Sequence, residues 1–106
     1  MAALADKAHA NRVTDGDGKN ALHILALQGE ETGVTFLVDA GMSVTTPSGA
    51  GLTAFHYACY GGHLSIAKLL ASKGSDVSRM DGSGRHALHL AAIKGHLDAV
   101  QWLVAH

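Results

Sequence analysis

The segment LSIAKLLASK, residues 64–73, sets its polar side chains Ser65, Lys68 and Ser72 three and then four positions apart. Leu64, Ile66, Ala67, Leu69, Leu70 and Ala71 fill the places between them. That spacing gathers the polar residues into one stripe of an α-helix and predicts a helix buried over most of its remaining surface. Gly74 follows where a left-handed residue closes a helix. Upstream, Ser48-Gly49-Ala50-Gly51 reads as a turn, and Thr53 reads as an N-cap acting through its hydroxyl. Ala54 to Cys59 then form a short helix that breaks at Gly61-Gly62. The middle of the chain is thus turn, helix, turn, helix.

The same pattern stands on either side of it, 33 residues away. His23, His56 and His89 keep that interval, as do Gly18, Gly51 and Gly84, Gly29, Gly62 and Gly95, Leu37, Leu70 and Leu103, and Ala21, Ala54 and Ala87. Residues 51–70 and 84–103 are identical at eight of twenty positions. The polar stripe recurs as Thr32, Thr35 and Asp39 in the first unit and as Asp98, Gln101 and Ala105 in the third. This divides the 106 residues into units of about 11–43, 44–76 and 77–106 within one domain, with 1–10 matching the tail of a preceding second helix because Leu4 aligns with Leu37. On this register the chain is expected to start and stop inside repeats, as a segment of a longer array. No unit is long enough to bury its own apolar faces, so neighbours must stack and cover one another.

A period of 33 with two helices per unit resembles the ankyrin repeat, whose signature is D-x-x-G-x-T-P-L-H-x-A-A-x-x-G-H-L. The third unit reads Asp81, Gly84 and then HALHLAAIKGHL from His86; the second reads GLTAFHYACYGGHL from Gly51; the first reads DGDGKNALHILALQGEE from Asp15. The resemblance implies an all-α solenoid of stacked antiparallel helix pairs joined by turns resembling β-hairpins. Alanine replaces the helix-opening proline at Ala21, Ala54 and Ala87, at little cost because alanine is a good helix former. Of the capping threonines only Thr53 remains; Asn20 is a sound substitute and His86 a poor one. Glu31 stands at the position of Leu64 and Leu97, and Gly33 at that of Ile66, so the second helix of the first unit is expected to be the weakest.

Composition narrows the function. Eight Lys and Arg against nine Asp and Glu leave a formal charge of −1, and no basic run exceeds one residue, which argues against nucleic acid. A single cysteine, Cys59, excludes an intrachain disulfide and favours a reducing intracellular compartment such as the cytoplasm. No apolar run suits a signal peptide or a bilayer span, so membrane insertion is not expected.

Three features suggest chemistry. DGDGKN opens like a calcium loop, but Lys19 and Ala26 occupy the fifth and twelfth positions, where that loop needs ligands. It lacks the lysine-serine ending of a phosphate loop as well. By register it is a turn between units. His86 and His89, with Cys59 one unit back, are too few for zinc on their own. Cys59 beside His56 lacks an acid partner or an oxyanion loop, and by register it is a packed small residue matching Ala26 and Ala92. No catalytic residue, cofactor or metal is expected. The ankyrin resemblance implies that His23, His56 and His89 tie turn to helix through hydrogen bonds, buried and neutral, and that His63 and His96 belong to the recurring G-H-L turn.

The resemblance also implies where a partner is held: on the concave face made by the loop tips and the exposed side of each first helix. Carried over position by position, the expected protein-binding residues are Lys19, Leu27, Leu52, Tyr60, Met80, Arg85, Ile93 and Lys94. The function expected is a non-catalytic module, monomeric in isolation, that binds another protein or a peptide segment. The alternative is a regulatory or substrate-positioning segment of a larger enzyme or channel.

Overall fold

The computed structural model describes residues 14–80 and 86–105. These hold six helices and no strand: α1 (Ala21–Gln28), α2 (Glu31–Asp39), α3 (Ala54–Gly61), α4 (Leu64–Ser72), α5 (Ala87–Ile93) and α6 (Leu97–Ala105). They form three helix pairs, each folded back across a turn of two or three residues. The segment 1–10, expected as a preceding helix tail, lies outside the described residues, as does Arg85.

The helices end where the sequence places its punctuation. Asn20 caps α1 reciprocally: its Oδ1 accepts from the His23 backbone N–H at 3.0 Å, while its own N–H donates to His23 Nδ1 at 2.9 Å. Thr53 stands at the N-cap of α3, its N–H donating to His56 Nδ1 at 3.0 Å and its hydroxyl lying 3.0 Å from the same nitrogen. At the other end, Gly29 and Gly62 adopt left-handed backbone, with φ of 80° and 79°. The next residue donates back into the helix each time, Glu30 N–H to Leu25 O at 3.0 Å and His63 N–H to Ala58 O at 2.8 Å. This satisfies carbonyls that the last turn would leave unpaired.

The first helices α1, α3 and α5 pack side by side as one row, and α2, α4 and α6 each lie against their own first helix. Ala26, Ala54, Ala58, Ala87 and Ala91 are buried to 1% exposure or less in the first row, and side chains this small let neighbouring helices approach closely. Larger residues fill the space behind: Leu22, Val34, Phe55, Ile66 and Leu70 are all at or below 1%. The polar stripe on α4, Ser65, Lys68 and Ser72, is exposed as its spacing predicts. In α2, Glu31 gains a partner that leucine could not offer, since Ser65 donates its hydroxyl to Glu31 Oε1 at 2.8 Å across the repeat boundary.

Candidate functional site

The quoted turn DGDGKN is held together by its first acid. Asp15 Oδ1 accepts from the backbone N–H groups of Asp17 and Lys19, both at 2.9 Å, and the Asp15 N–H donates to Lys19 O at 2.9 Å. Those N–H groups hold the Asp15 carboxyl below its ordinary pKa, with the Lys19 contact the largest cause. One unit on, Ser48 repeats the arrangement: its N–H donates to Leu52 O at 2.8 Å, and its Oγ accepts from Ala50 and Leu52 at 3.3 and 3.4 Å. The two turns then meet. Gly49 N–H donates to Asp17 O at 3.1 Å, and a Cβ on Gly18 would lie 2.6 Å from Gly49 N. The glycines permit adjacent turns to touch, and Asp15 and Ser48 each shape their own loop.

The histidines divide into two sets. His23 accepts from Asn20 at Nδ1 and donates from Nε2 to Thr46 O at 2.6 Å; His56 accepts from Thr53 and donates to Arg79 O at 2.7 Å. Each reaches 23 residues forward to the loop that opens the next unit. Both are buried, at 1% and 0% exposure, and burial lowers the His23 pKa from its ordinary value. His63 and His96 reach the other way, 36 residues back, with Nε2 against the carbonyls of Leu27 and Tyr60 at 3.0 Å each.

His89 departs from the expected burial. Its Nδ1 accepts from His86 N–H at 3.1 Å as the register requires, but the side chain is exposed. His23 and His56 are each covered by the loop 23 residues ahead, whereas among the described residues no loop carbonyl is bound to His89 Nε2. His86 serves as N-cap with its ring stacked on that of His89, centroids 5.7 Å apart. Cys59 is 1% exposed in the core, and burial pushes its thiol up to about 12, which makes it a packing residue in its present setting.

Four of the expected binding residues converge. Lys19, Leu27, Leu52 and Tyr60 line one cleft of about 340 Å³, joined by Tyr57 and Leu90. The lining comes from the turns ahead of α1 and α3 and from α1, α3 and α5, so the cleft crosses the first-helix row. Lys94 belongs with it, because its Nζ sits 5.3 Å from the centre of the Tyr60 ring. Ile93 and Met80 are 62% and 54% exposed but do not line the cleft. Arg85 lies outside the described residues.

Tyr57 and Leu90 are additions to the expected set. Together with Ile24 they occupy one position of the 33-residue register, and it is large and apolar in every unit. That uniformity was the available signal, although a buried core position looks the same in sequence. Tyr57 straddles both roles: it is 8% exposed, tilts against the His23 ring with centroids 5.5 Å apart, and donates its hydroxyl to Ser48 Oγ at 2.8 Å. The bond fixes the ring as one wall of the cleft and ties the wall to the turn.

At the cleft's two ends the charge differs. Lys19 Nζ lies 3.8 Å from Asp15 Oδ2 and 3.6 Å from Asp17 Oδ2, so two carboxylates surround one ammonium. Among the described residues no carboxylate lies within 4.0 Å of the Lys94 ammonium. No group of three or more His, Cys, Asp or Glu side chains is placed to hold a metal ion among the described residues, and no helix there is long and apolar enough to cross a membrane.

A search of curated proteins found no match. A family model described as ankyrin repeats (3 copies) matches residues 1–81 and 44–106, which together take in the whole sequence. Repeats of that family are generally protein–protein interaction modules without catalytic activity. With its period of 33, its paired helices and the two sets of bridging histidines, the chain belongs to the ankyrin-repeat family.

Proposed function

We propose that this chain is a non-catalytic module that binds a partner protein across its first-helix row, on the concave side. The observation that supports this reading is the convergence of Lys19, Leu27, Leu52 and Tyr60 on one cleft, where a solvated surface would disperse them. Apolar side chains gathered in a concave, partly exposed site beside an aromatic residue and a cation have the make-up of an interface centre. The nearby titratable groups serve the fold: both ring nitrogens of His23 and His56 are engaged by backbone or cap, and the Cys59 thiol is buried.

The test is co-purification from cell extract with the wild-type chain, with Leu52→Asp and Tyr60→Ala combined, and with Phe36→Asp on α2, which does not line the cleft. The partner should be lost with the cleft variant and kept with Phe36→Asp. Equal recovery by all three folded chains would move the binding surface elsewhere.

A further inference from the structure

We infer that the cleft takes a large apolar side chain of an extended peptide segment, and that the same segment carries an acidic residue two positions away, held by Lys94. This rests on the reading that the cleft is the partner-binding surface, and it specifies the partner's chemistry.

The apolar anchor follows from the lining. Leu27, Leu52, Tyr57, Tyr60 and Leu90 supply the walls, and Lys19 is the sole charged residue of the lining among the described residues. A volume of about 340 Å³ lies at the low end of the roughly 300–1,000 Å³ found for ligand pockets. That is room for a bulky side chain and the backbone beside it. The lining spans consecutive helices of the first-helix row, so an element laid along that row fills the cleft better than a compact ligand.

The acidic residue follows from the charge arrangement. Lys19 already faces Asp15 and Asp17, and that end of the cleft therefore carries net negative charge and repels a carboxylate. No carboxylate lies within 4.0 Å of the Lys94 ammonium among the described residues, and the Tyr60 ring holds it beside the cleft at 5.3 Å. Side chains of an extended strand alternate between faces and advance about 3.3 Å per residue, so a side chain anchored against Tyr60 brings the residue two positions away, on the same face, within reach of that ammonium. The arrangement gives the bound segment a direction: its acid points towards the third unit, away from the Asp15 turn. Charge complementarity of this kind selects among partners more than it adds to affinity.

The experiment selects short random peptides displayed on phage against the 106-residue chain, in parallel with Lys94→Glu, Lys94→Gln, Leu52→Asp and Tyr60→Ala, with circular dichroism melts confirming that each variant folds. The wild type should enrich peptides with a large apolar residue and Asp or Glu two positions from it. Lys94→Glu should keep the apolar anchor and replace the acid with Lys or Arg, and Lys94→Gln should erase the charge preference. A synthetic peptide of the wild-type consensus should bind Lys94→Glu about two- to fivefold more weakly, the size expected for an exposed charge pair. Peptides that depend on Leu52 and Tyr60 but lack an acid, or whose acid persists with Lys94→Glu, would overturn this inference and leave the binding surface standing. Peptides indifferent to both Leu52→Asp and Tyr60→Ala, or no enrichment at all, would overturn both.

Discussion

His63 lays its imidazole in the space that a side chain on Gly29 would need. A Cβ on Gly29 would lie 2.5 Å from His63 Cε1, and the same ring meets the Leu27 carbonyl through Nε2 at 3.0 Å. Gly62 and His96 repeat the relationship one unit later, again with a Cβ at 2.5 Å from the ring. Gly95 has the same left-handed backbone, φ 75°, but nothing within 4 Å of its Cβ position. The pair separates backbone strain from the cost of displacing a neighbour. Gly95→Ala should cost about 1–2 kcal/mol, the strain alone. Gly29→Ala should cost more than about 3 kcal/mol, because the ring and its hydrogen bond must also move. Urea melts of the two variants make the comparison; equal losses would mean the ring yields freely.

His56 and His89 share a register position but differ in surroundings, so their alanine variants should part company. Removing the buried His56 ring takes a partner from the Thr53 N–H and from the Arg79 carbonyl, and should cost about 2–4 kcal/mol. His89→Ala removes an exposed ring with one backbone contact, and should cost under about 1 kcal/mol. Denaturant midpoints at neutral pH decide the matter.

Stability should fall on mild acidification, through His23. Burial lowers its folded pKa beneath the unfolded value of about 6.5. Below that unfolded value the denatured chain binds a proton that the folded chain resists, so stability rises with pH there and is complete above it. The loss should begin as pH drops through about 6.5 and level off below the folded pKa. Its stereochemical root is visible: Nδ1 faces the Asn20 N–H, and a proton on that nitrogen would oppose a donor. Chemical melts between neutral and mildly acidic pH, run beside His23→Gln, should show a steeper decline for the wild type.

Cys59 should be silent towards thiol reagents until the fold opens. With the thiol pushed up to about 12 and 1% exposed, almost no thiolate is present or reachable at neutral pH. Labelling by a disulfide reagent should therefore follow unfolding, and its rate should climb with denaturant. Rapid stoichiometric labelling of the native chain would contradict the packing described here. Cys59→Ser, which places a hydroxyl in the same apolar site, should be less stable than Cys59→Ala.

The helices and their limits were readable because each signal is local: apolar spacing within LSIAKLLASK, Asn20 and Thr53 before a helix, Gly29 and Gly62 after one. The repeat also carried the identity of the structural histidines, since His23 and His56 stand in copies of one environment. It misplaced His89 for the reason that made it useful, because a register transfers a position without transferring the neighbour that buries it. The cleft was half legible. Lys19, Leu27, Leu52 and Tyr60 line it. Ile93 and Met80, chosen by the same rule, project elsewhere. Tyr57 shares its large apolar register position with Ile24 and Leu90, which spacing cannot tell from core, and no spacing rule encodes its hydroxyl bond to Ser48 in the preceding turn.

The forward bonds of His23 and His56 and the backward bonds of His63 and His96 all end in the adjoining unit. Cohesion therefore passes from neighbour to neighbour, as between links of a chain, with no bond among these four skipping a unit. A duplicated 33-residue stretch inserted at a unit boundary would arrive with its own rings and its own acceptors, and the interrupted bonds would close again on either side of it. Lengthening such a molecule asks for no redesign of its interior, and that makes it open to growth by whole units and intolerant of fractions of one.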